Sequence, residues 1–149
     1  MLKELLSNYT LICGVLAWTI CQMTKIITNG IKTHQWNFRK WWESGGMPSS
    51  HTATVVAVTT AAGIREGFSS ALFAVSFCFA CVVMYDAAGV RRQTGKQGKI
   101  INEILRWPEA MTEDQTSGDL KERVGHSPLE VMAGAAAGIV IAVILHFIV

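Results

Sequence analysis

The sequence predicts an all-α fold, a polytopic membrane helical bundle of about four transmembrane helices with one short interfacial helix. Half of the 149 residues are hydrophobic, and the mean hydropathy is +0.32, which is high for a chain that must cover itself with polar groups in water. The weakly charged residues also fall into four segments, roughly 5–28, 46–64, 70–90 and 128–149. We expect one membrane-embedded domain over residues 1–149; the alternative is a soluble bundle with unusually apolar helices.

The four segments differ in how well each would cross a bilayer alone, which takes about 20 mostly apolar residues. Segments 70–90 and 128–149 meet this requirement, each with a single acidic residue. Segment 46–64 is shorter and more polar, and would be marginal by itself. Segment 5–28 carries Lys25 close to its end.

The connections between these segments have very unequal lengths. Residues 65–69 predict a tight turn, whereas residues 29–47 and 91–125 form long polar loops that emerge on the same side after four crossings. Part of the second loop, starting at residue 96, predicts a short helix that lies at the interface or docks on the bundle, and Pro108 should end it. Its apolar face would consist of Ile100, Ile101, Ile104 and Leu105.

Cysteines and small residues indicate packing. All four cysteines, Cys13, Cys21, Cys78 and Cys81, lie in apolar segments, which predicts reduced side chains buried in the bundle. The small-xxx-small pattern GAAAG, residues 134–138, allows close helix packing, either inside the bundle or across a homodimer. The net charge of +2 is small, and we expect a bilayer and no nucleic acid as partner.

Three polar clusters adjoin the ends of the apolar segments, and the first is GGMPSSHTA, residues 45–53. Pro48 suits the first turn of a helix. Ser49 and Ser50 offer hydroxyl and backbone N–H groups at a helix end that attracts anions, and His51 can donate a proton near neutral pH. A helix N-cap with a hydrogen-bonded histidine would explain the same residues.

The second cluster is YDAAGVRRQTGKQ, residues 85–97. Asp86 ends an apolar segment, where an unpaired carboxylate is costly. Arg91 and Arg92 follow closely, and an arginine matches phosphate oxygens in two places at once. The alternative is that the two arginines only anchor the helix at the membrane interface.

The third cluster is GHSPLEV, residues 125–131. His126 and Glu130 are four residues apart at a helix start marked by Pro128, so they share a face. A carboxylate there can hold the imidazole in one tautomer and prepare the other nitrogen as a nucleophile. A helical His–Glu pair with a purely structural role is the alternative.

Taken together, PSSH at 48–51 resembles the P-S-G-H motif of the type 2 phosphatidic acid phosphatase superfamily, which shares its fold with vanadium haloperoxidases. HSPLE at 126–130 resembles that superfamily's H-x-x-x-D motif. The set GGMPSSHT, DAAGVRR, GKQ and GHSPLEV resembles a divergent bacterial branch of small membrane proteins. The resemblance covers most of the chain.

This resemblance implies roles for several residues. It implies that His126 attacks phosphate and becomes phosphorylated, with Glu130 in place of aspartate as the orienting carboxylate. It implies His51 as the general acid and Ser49 and Ser50 as phosphate ligands. No metal and no cofactor is implied.

The cations differ from the superfamily pattern. Leu120 stands where the last motif has an arginine, so we expect Arg91 or Arg92 to hold the phosphate. Lys25 is favoured over Lys32 as the phosphate-binding lysine, because a lysine inside a membrane segment needs an anion or the interface beside it. Asp86 and Gln97 are expected to support the site.

The predicted function is that of an integral membrane phosphatase that hydrolyses a phosphomonoester or diphosphate of a lipid through phosphohistidine. The alternative is a phospholipid-binding or lipid-translocating protein that keeps the anion site without turnover; a vanadate-dependent peroxidase is disfavoured, since no separate halide site is evident. Phosphatidic acid, phosphatidylglycerophosphate and polyprenyl phosphates all remain open as substrates.

The active site of this cell-membrane protein is expected to face the cytoplasm, because 11 of 13 Lys and Arg lie on the side of the two long loops.

Overall fold

The fold of the chain is all-α. A computed structural model describes residues 2–34, 41, 46–105, 120 and 125–148, and these contain no strand. The described helices are α1 (Leu2–Leu6), α2 (Tyr9–Thr33), α3 (Ser50–Glu66), α4 (Ala71–Ala88), α5 (Val90–Leu105) and α6 (Pro128–Ile148).

Among the described residues, three helical stretches are long and apolar enough to cross a membrane: α2, the run from Ala71 to Leu105, and α6. Helix α3, with 17 residues, is not among them, and it packs against α2, α4 and α6. Its alanines form the centre of the core, with Ala53, Ala57 and Ala61 fully buried. A short, polar helix is stable there because its neighbours are protein rather than lipid.

The outward faces of α2, α4 and α6 are apolar. Val75 on α4 and Met132 on α6 are each 69% exposed, and Ile20 on α2 is 45% exposed. Apolar surface of this extent is expected where the solvent is hydrocarbon rather than water. The chain is therefore a membrane protein with several spanning helices.

The two cysteines of α4 do not lie in the core as predicted. Cys13 and Cys21 of α2 are buried, but Cys78 and Cys81 are exposed, and all four are free thiols. Helix α4 contacts the other helices along one narrow face and buries only Ala80 and Ala87. The CxxC pair lies on the remaining, outward surface.

The glycines of the GAAAG pattern serve packing within the chain. A methyl group added at Gly134 would overlap the carbonyl oxygen of Ser49, and one at Gly138 would overlap that of Ala53. Helix α6 thus approaches the backbone of α3 closely at both glycines. A homodimer stays a prediction.

The helix after α4 is longer than predicted. It begins at Val90 rather than at residue 96, with only Gly89 between it and α4. The expected apolar face is present, since Ile100, Ile101 and Ile104 are exposed. Pro108 lies outside the described residues.

Candidate functional site

The three polar clusters meet at one end of the bundle. The N–H of Ser49, at the start of α3, donates a hydrogen bond of 3.0 Å to the carbonyl oxygen of Glu130 in the first turn of α6. The N–H of His126 donates one of 3.0 Å to the carbonyl oxygen of Ala87 at the end of α4. These backbone contacts hold the ends of three helices side by side.

A cavity of about 160 Å³ opens between these helix ends. Four of its lining residues are polar and come from all three clusters: His51, Asp86, Arg91 and His126. The others are apolar residues of α4, namely Val82, Val83 and Ala87. The cavity thus joins titratable and cationic groups on one side to an apolar wall on the other.

His126 is the most deeply buried titratable residue of the cavity, with 3% of its surface exposed. Its Nδ1 atom lies 3.1 Å from Oε2 of Glu130. Its Nε2 atom is buried and, within the described part of the chain, has no hydrogen-bond partner. A carboxylate that accepts from Nδ1–H fixes the tautomer with the lone pair on Nε2, so Nε2 is the nitrogen available for chemistry.

The same carboxylate also caps α6, a role that the sequence reasoning missed. The N–H of Ser127 donates to Oε2 of Glu130 over 3.0 Å, and the N–H of Glu130 donates to Oγ of Ser127 over 3.3 Å. This reciprocal pair is a capping box, whose sequence signal is S-x-x-E, here SPLE. Pro128 occupies the first position of α6, as predicted.

Burial lowers the pKa of His126 below the ordinary histidine value, because the charged imidazolium is poorly solvated there. The hydrogen bond from Nδ1 to Glu130 opposes this shift, and the positive charges of Lys25 and Arg91 add to it. The imidazole is therefore neutral, as a nucleophile must be, at pH values where a free histidine would be partly protonated.

Arg91, and not Arg92, lines the cavity. Its Nε donates to Oδ2 of Asp86 over 2.6 Å, and both side chains remain partly exposed. The carboxylate orients the guanidinium while leaving its terminal nitrogens available for an anion. Arg92 is exposed on α5, as is Gln97, and neither lines the cavity.

Lys25 does not lie near the end of its helix as predicted, because α2 continues to Thr33. The lysine side chain is only 7% exposed, and its Nζ donates to Oγ of Ser50 over 3.2 Å. Lys25 does not line the cavity, but its positive charge contributes to lowering the pKa of His126. Lys32 is exposed.

The two serines of PSSH are buried rather than open to the cavity. Ser49 is the N-cap of α3, and its Oγ accepts from the N–H of Thr52 over 3.4 Å and from the Thr52 hydroxyl over 3.1 Å. Because Ser49 caps the helix, Pro48 precedes α3 and is not in its first turn, contrary to the prediction.

Gly125 is a further residue that the site requires. A methyl group added there would overlap the backbone of Arg91 and Arg92, so the residue before His126 must lack a side chain. The sequence signal for this requirement is the glycine of GHSPLEV, directly before the histidine.

Comparison with known proteins places the chain beside one family. Residues 6–141 match the model of the divergent PAP2 family. The uncharacterized membrane protein YuiD of Bacillus subtilis (strain 168) is 36% identical over 155 aligned positions, which cover 97% of this chain and 98% of YuiD. No solved structure matches the chain.

Proposed function

We propose that this chain, a member of the divergent PAP2 family, is a membrane phosphatase that removes phosphate from a lipid through a phosphohistidine at His126. The observation that carries the proposal is the hydrogen bonding of the His126 ring and its position in the cavity. Its Nδ1 is held by Glu130, its Nε2 has no partner among the described residues, and it lines a cavity shared with His51 and Arg91.

In the first step, Nε2 of His126 forms a bond to phosphorus while the bond from phosphorus to the lipid oxygen breaks. His51 donates the proton that this leaving oxygen needs. Arg91 stabilises the charge on the equatorial oxygens of the five-coordinate transition state. In the second step, water attacks phosphorus, the phosphorus–nitrogen bond breaks, and His51 receives the proton from water.

The apolar wall supports a lipid as the substrate. Val82 lines the cavity and is also 64% exposed on the outward surface of α4. A phosphate held between His126 and Arg91 would thus have apolar surface beside it that continues toward the bilayer. The phosphate group is held at the polar end of the cavity, and the acyl chain follows Val82 and Val83.

A non-catalytic lipid-binding protein is the second candidate. Two observations favour it: Leu120 stands where the wider superfamily has an arginine, and the hydroxyls of Ser49 and Ser50 already bind protein groups. A site with fewer free donors would bind a phosphate but stabilise its transition state less.

Phosphate release separates the two functions. The purified chain in mixed micelles containing phosphatidic acid, phosphatidylglycerophosphate or a polyprenyl phosphate should release inorganic phosphate from at least one of them. The His126→Ala variant should release none, orthovanadate should inhibit the wild type by becoming five-coordinate at His126, and EDTA should have no effect. Binding of these lipids without release by the wild type would establish the second function instead.

A further inference from the structure

Helix α5 has three distinct faces, and the first is turned toward the rest of the chain. Arg91, Gly95, Gly98 and Asn102 recur at spacings of four, three and four, which places them on one stripe of a helix. Asn102 is 2% exposed; its side-chain amide and carbonyl each make a 2.9 Å hydrogen bond with the backbone of Leu120. Gly125 packs on the same helix near its start.

The second face is apolar and, in the part of the chain that the structure describes, largely exposed. Ile100, Ile101 and Ile104 are 56%, 43% and 51% exposed. A stripe of large aliphatic side chains on a helix end that leaves a membrane protein is typical of helices that lie in the membrane interface.

The third face is basic. Arg92, Lys96 and Lys99 are exposed, and the one acid among them, Glu103, pairs with Lys99 over 3.8 Å. On a helical projection Lys96 borders Ile100, so its stem can follow the apolar face while its charge reaches lipid phosphates. The cations therefore lie where an anionic headgroup layer would contact a helix whose apolar face is immersed.

Continuity with α4 determines the depth at which α5 begins. Only Gly89 separates the end of the membrane helix α4 from Val90, so α5 starts at the membrane surface. We propose that α5 binds along the anionic surface of the bilayer, with Ile100, Ile101 and Ile104 at the acyl boundary and its basic face among phosphate headgroups. This binding does not depend on the proposed phosphatase activity.

A fluorescent probe can report the depth of each face. In the full chain, Cys78→Ala and Cys81→Ala remove the exposed thiols, while Cys13 and Cys21 are 0% and 1% exposed and stay unlabelled. An environment-sensitive dye is attached at Ile101→Cys or, as a matched control on the basic face, at Lys96→Cys. The protein is reconstituted into vesicles of phosphatidylcholine with or without phosphatidylglycerol, a phosphodiester that is not a phosphomonoester substrate.

The dye at position 101 should emit at shorter wavelength than the dye at position 96 and should be quenched by a spin label on the acyl chains. Adding phosphatidylglycerol should enlarge this difference. The substitutions Lys96→Gln and Lys99→Gln are then added to the chain labelled at position 101. The ratio of membrane-bound to unbound α5 should fall by about fivefold for each lysine removed. The matched Lys96→Arg and Lys99→Arg variant should keep it.

Equal exposure of both dyes to water, or no response to phosphatidylglycerol, would overturn the proposal. Self-quenching between dyes at position 101 that disappears on dilution into excess lipid would overturn it as well, because a second copy of the chain would then cover the apolar face. Circular dichroism of each variant verifies that the bundle is folded.

Discussion

Glu130 serves two structural roles with one carboxylate. Its Oε2 atom accepts from the imidazole of His126 and from the N–H of Ser127, so the group that orients the histidine also begins the helix behind it. The position and tautomer of the imidazole are consequently tied to the start of α6. The longer side chain of glutamate, where the wider superfamily has aspartate, lets it reach back to the N-cap as a capping box requires.

Substitution of Glu130 can separate charge from geometry. Glu130→Gln keeps an acceptor for the cap but removes the negative charge that stabilises the imidazolium formed during turnover. We expect the rate of phosphate release to fall by roughly 10²-fold or more, the low end for loss of an acid–base partner, with little change in the thermal unfolding midpoint. The measurement is phosphate release beside a thermal melt of the same sample.

The control for this variant is Ser127→Ala. It removes the hydroxyl half of the capping box and should cost about 1 kcal/mol of stability, but it leaves the contact between Glu130 and His126 in place. A large loss of rate in Ser127→Ala with none in Glu130→Gln would assign Glu130 a purely structural role.

The pH dependence of turnover follows from the direction of the His126 shift. His126, the proposed nucleophile, must be neutral to attack phosphorus, and its pKa lies below the ordinary value of about 6.5. Because this pKa is that of the free enzyme, kcat/KM should rise with pH below about 6.5 and lose its dependence on this group above it. Removing the anion in Glu130→Gln should move this acid limb to lower pH. An acid limb above pH 6.5 would contradict the assignment.

At the scale of helices, the starts of α3 and α6 were predictable, whereas the end of α2 was not. Pro, Ser and His before an apolar run located the starts of α3 and α6, and these local signals survive in the structure. The length of α2 was not predictable, because polar residues in the middle of the helix find their partners only in the packed bundle. Gln22 donates to the carbonyl oxygen of Trp41 over 2.5 Å, and Lys25 donates to Ser50.

For the same reason the sequence could not tell which groups line the cavity. Local spacing places Ser49 and Ser50 at a helix end. The Ser49 hydroxyl accepts from Thr52 of the same helix, whereas the Ser50 hydroxyl accepts from Lys25 of α2, a contact that exists only in the packed bundle. Which of Arg91 and Arg92 lines the cavity likewise depends on how α5 is rotated relative to α4 at Gly89. The contact of Glu130 with His126, four residues apart on one helix start, was predictable from spacing, whereas the contact of Lys25 with Ser50, between two helices, was not.

Close packing of α6 on α3 can be tested at Gly134. The Gly134→Val variant should force α6 away from the carbonyl oxygen of Ser49 and cost about 1–3 kcal/mol, the usual cost of overpacking. Ala136→Val is the matched control, since Ala136 is exposed on the same helix and should leave the unfolding midpoint unchanged. The midpoint in detergent is the measurement; equal effects of the two variants would argue against the close approach.

For the whole molecule, the site lies at the end of the bundle where α3 and α6 begin and α4 ends, and the start of α2 and the end of α6 lie at the other end. In the sequence, 11 of the 13 Lys and Arg lie within residues 25–40 and 91–123, which flank the polar clusters of the site, and the other two are Lys3 and Arg65. Leaving out Lys25, Arg91 and Arg92 as groups near the site still gives an excess of eight against two. Cytoplasmic segments carry such an excess.

We therefore expect the site to face the cytoplasm and the termini to face outward. A single reactive cysteine at Ser117, in a chain with Cys78 and Cys81 replaced by alanine, should react with a membrane-impermeant thiol reagent only after the cells are permeabilised. A cysteine at Ser69, in the short turn on the opposite side, is the matched control and should react in intact cells. The reverse pattern would invert the orientation.

The central position of α3 has a consequence for how the protein enters its membrane. This helix packs against α2, α4 and α6, and with 17 residues it is shorter than the stretches that are long and apolar enough to span by themselves. A translocation machinery that tests segments one at a time would move α3 across the membrane instead of releasing it into the bilayer. The tight turn at Gly67 joins it to the strongly apolar α4, so we expect the two to partition together as a hairpin. In a cell-free insertion assay, α3 alone should be translocated and α3 joined to α4 should be retained; equal retention of α3 alone would refute this order of assembly.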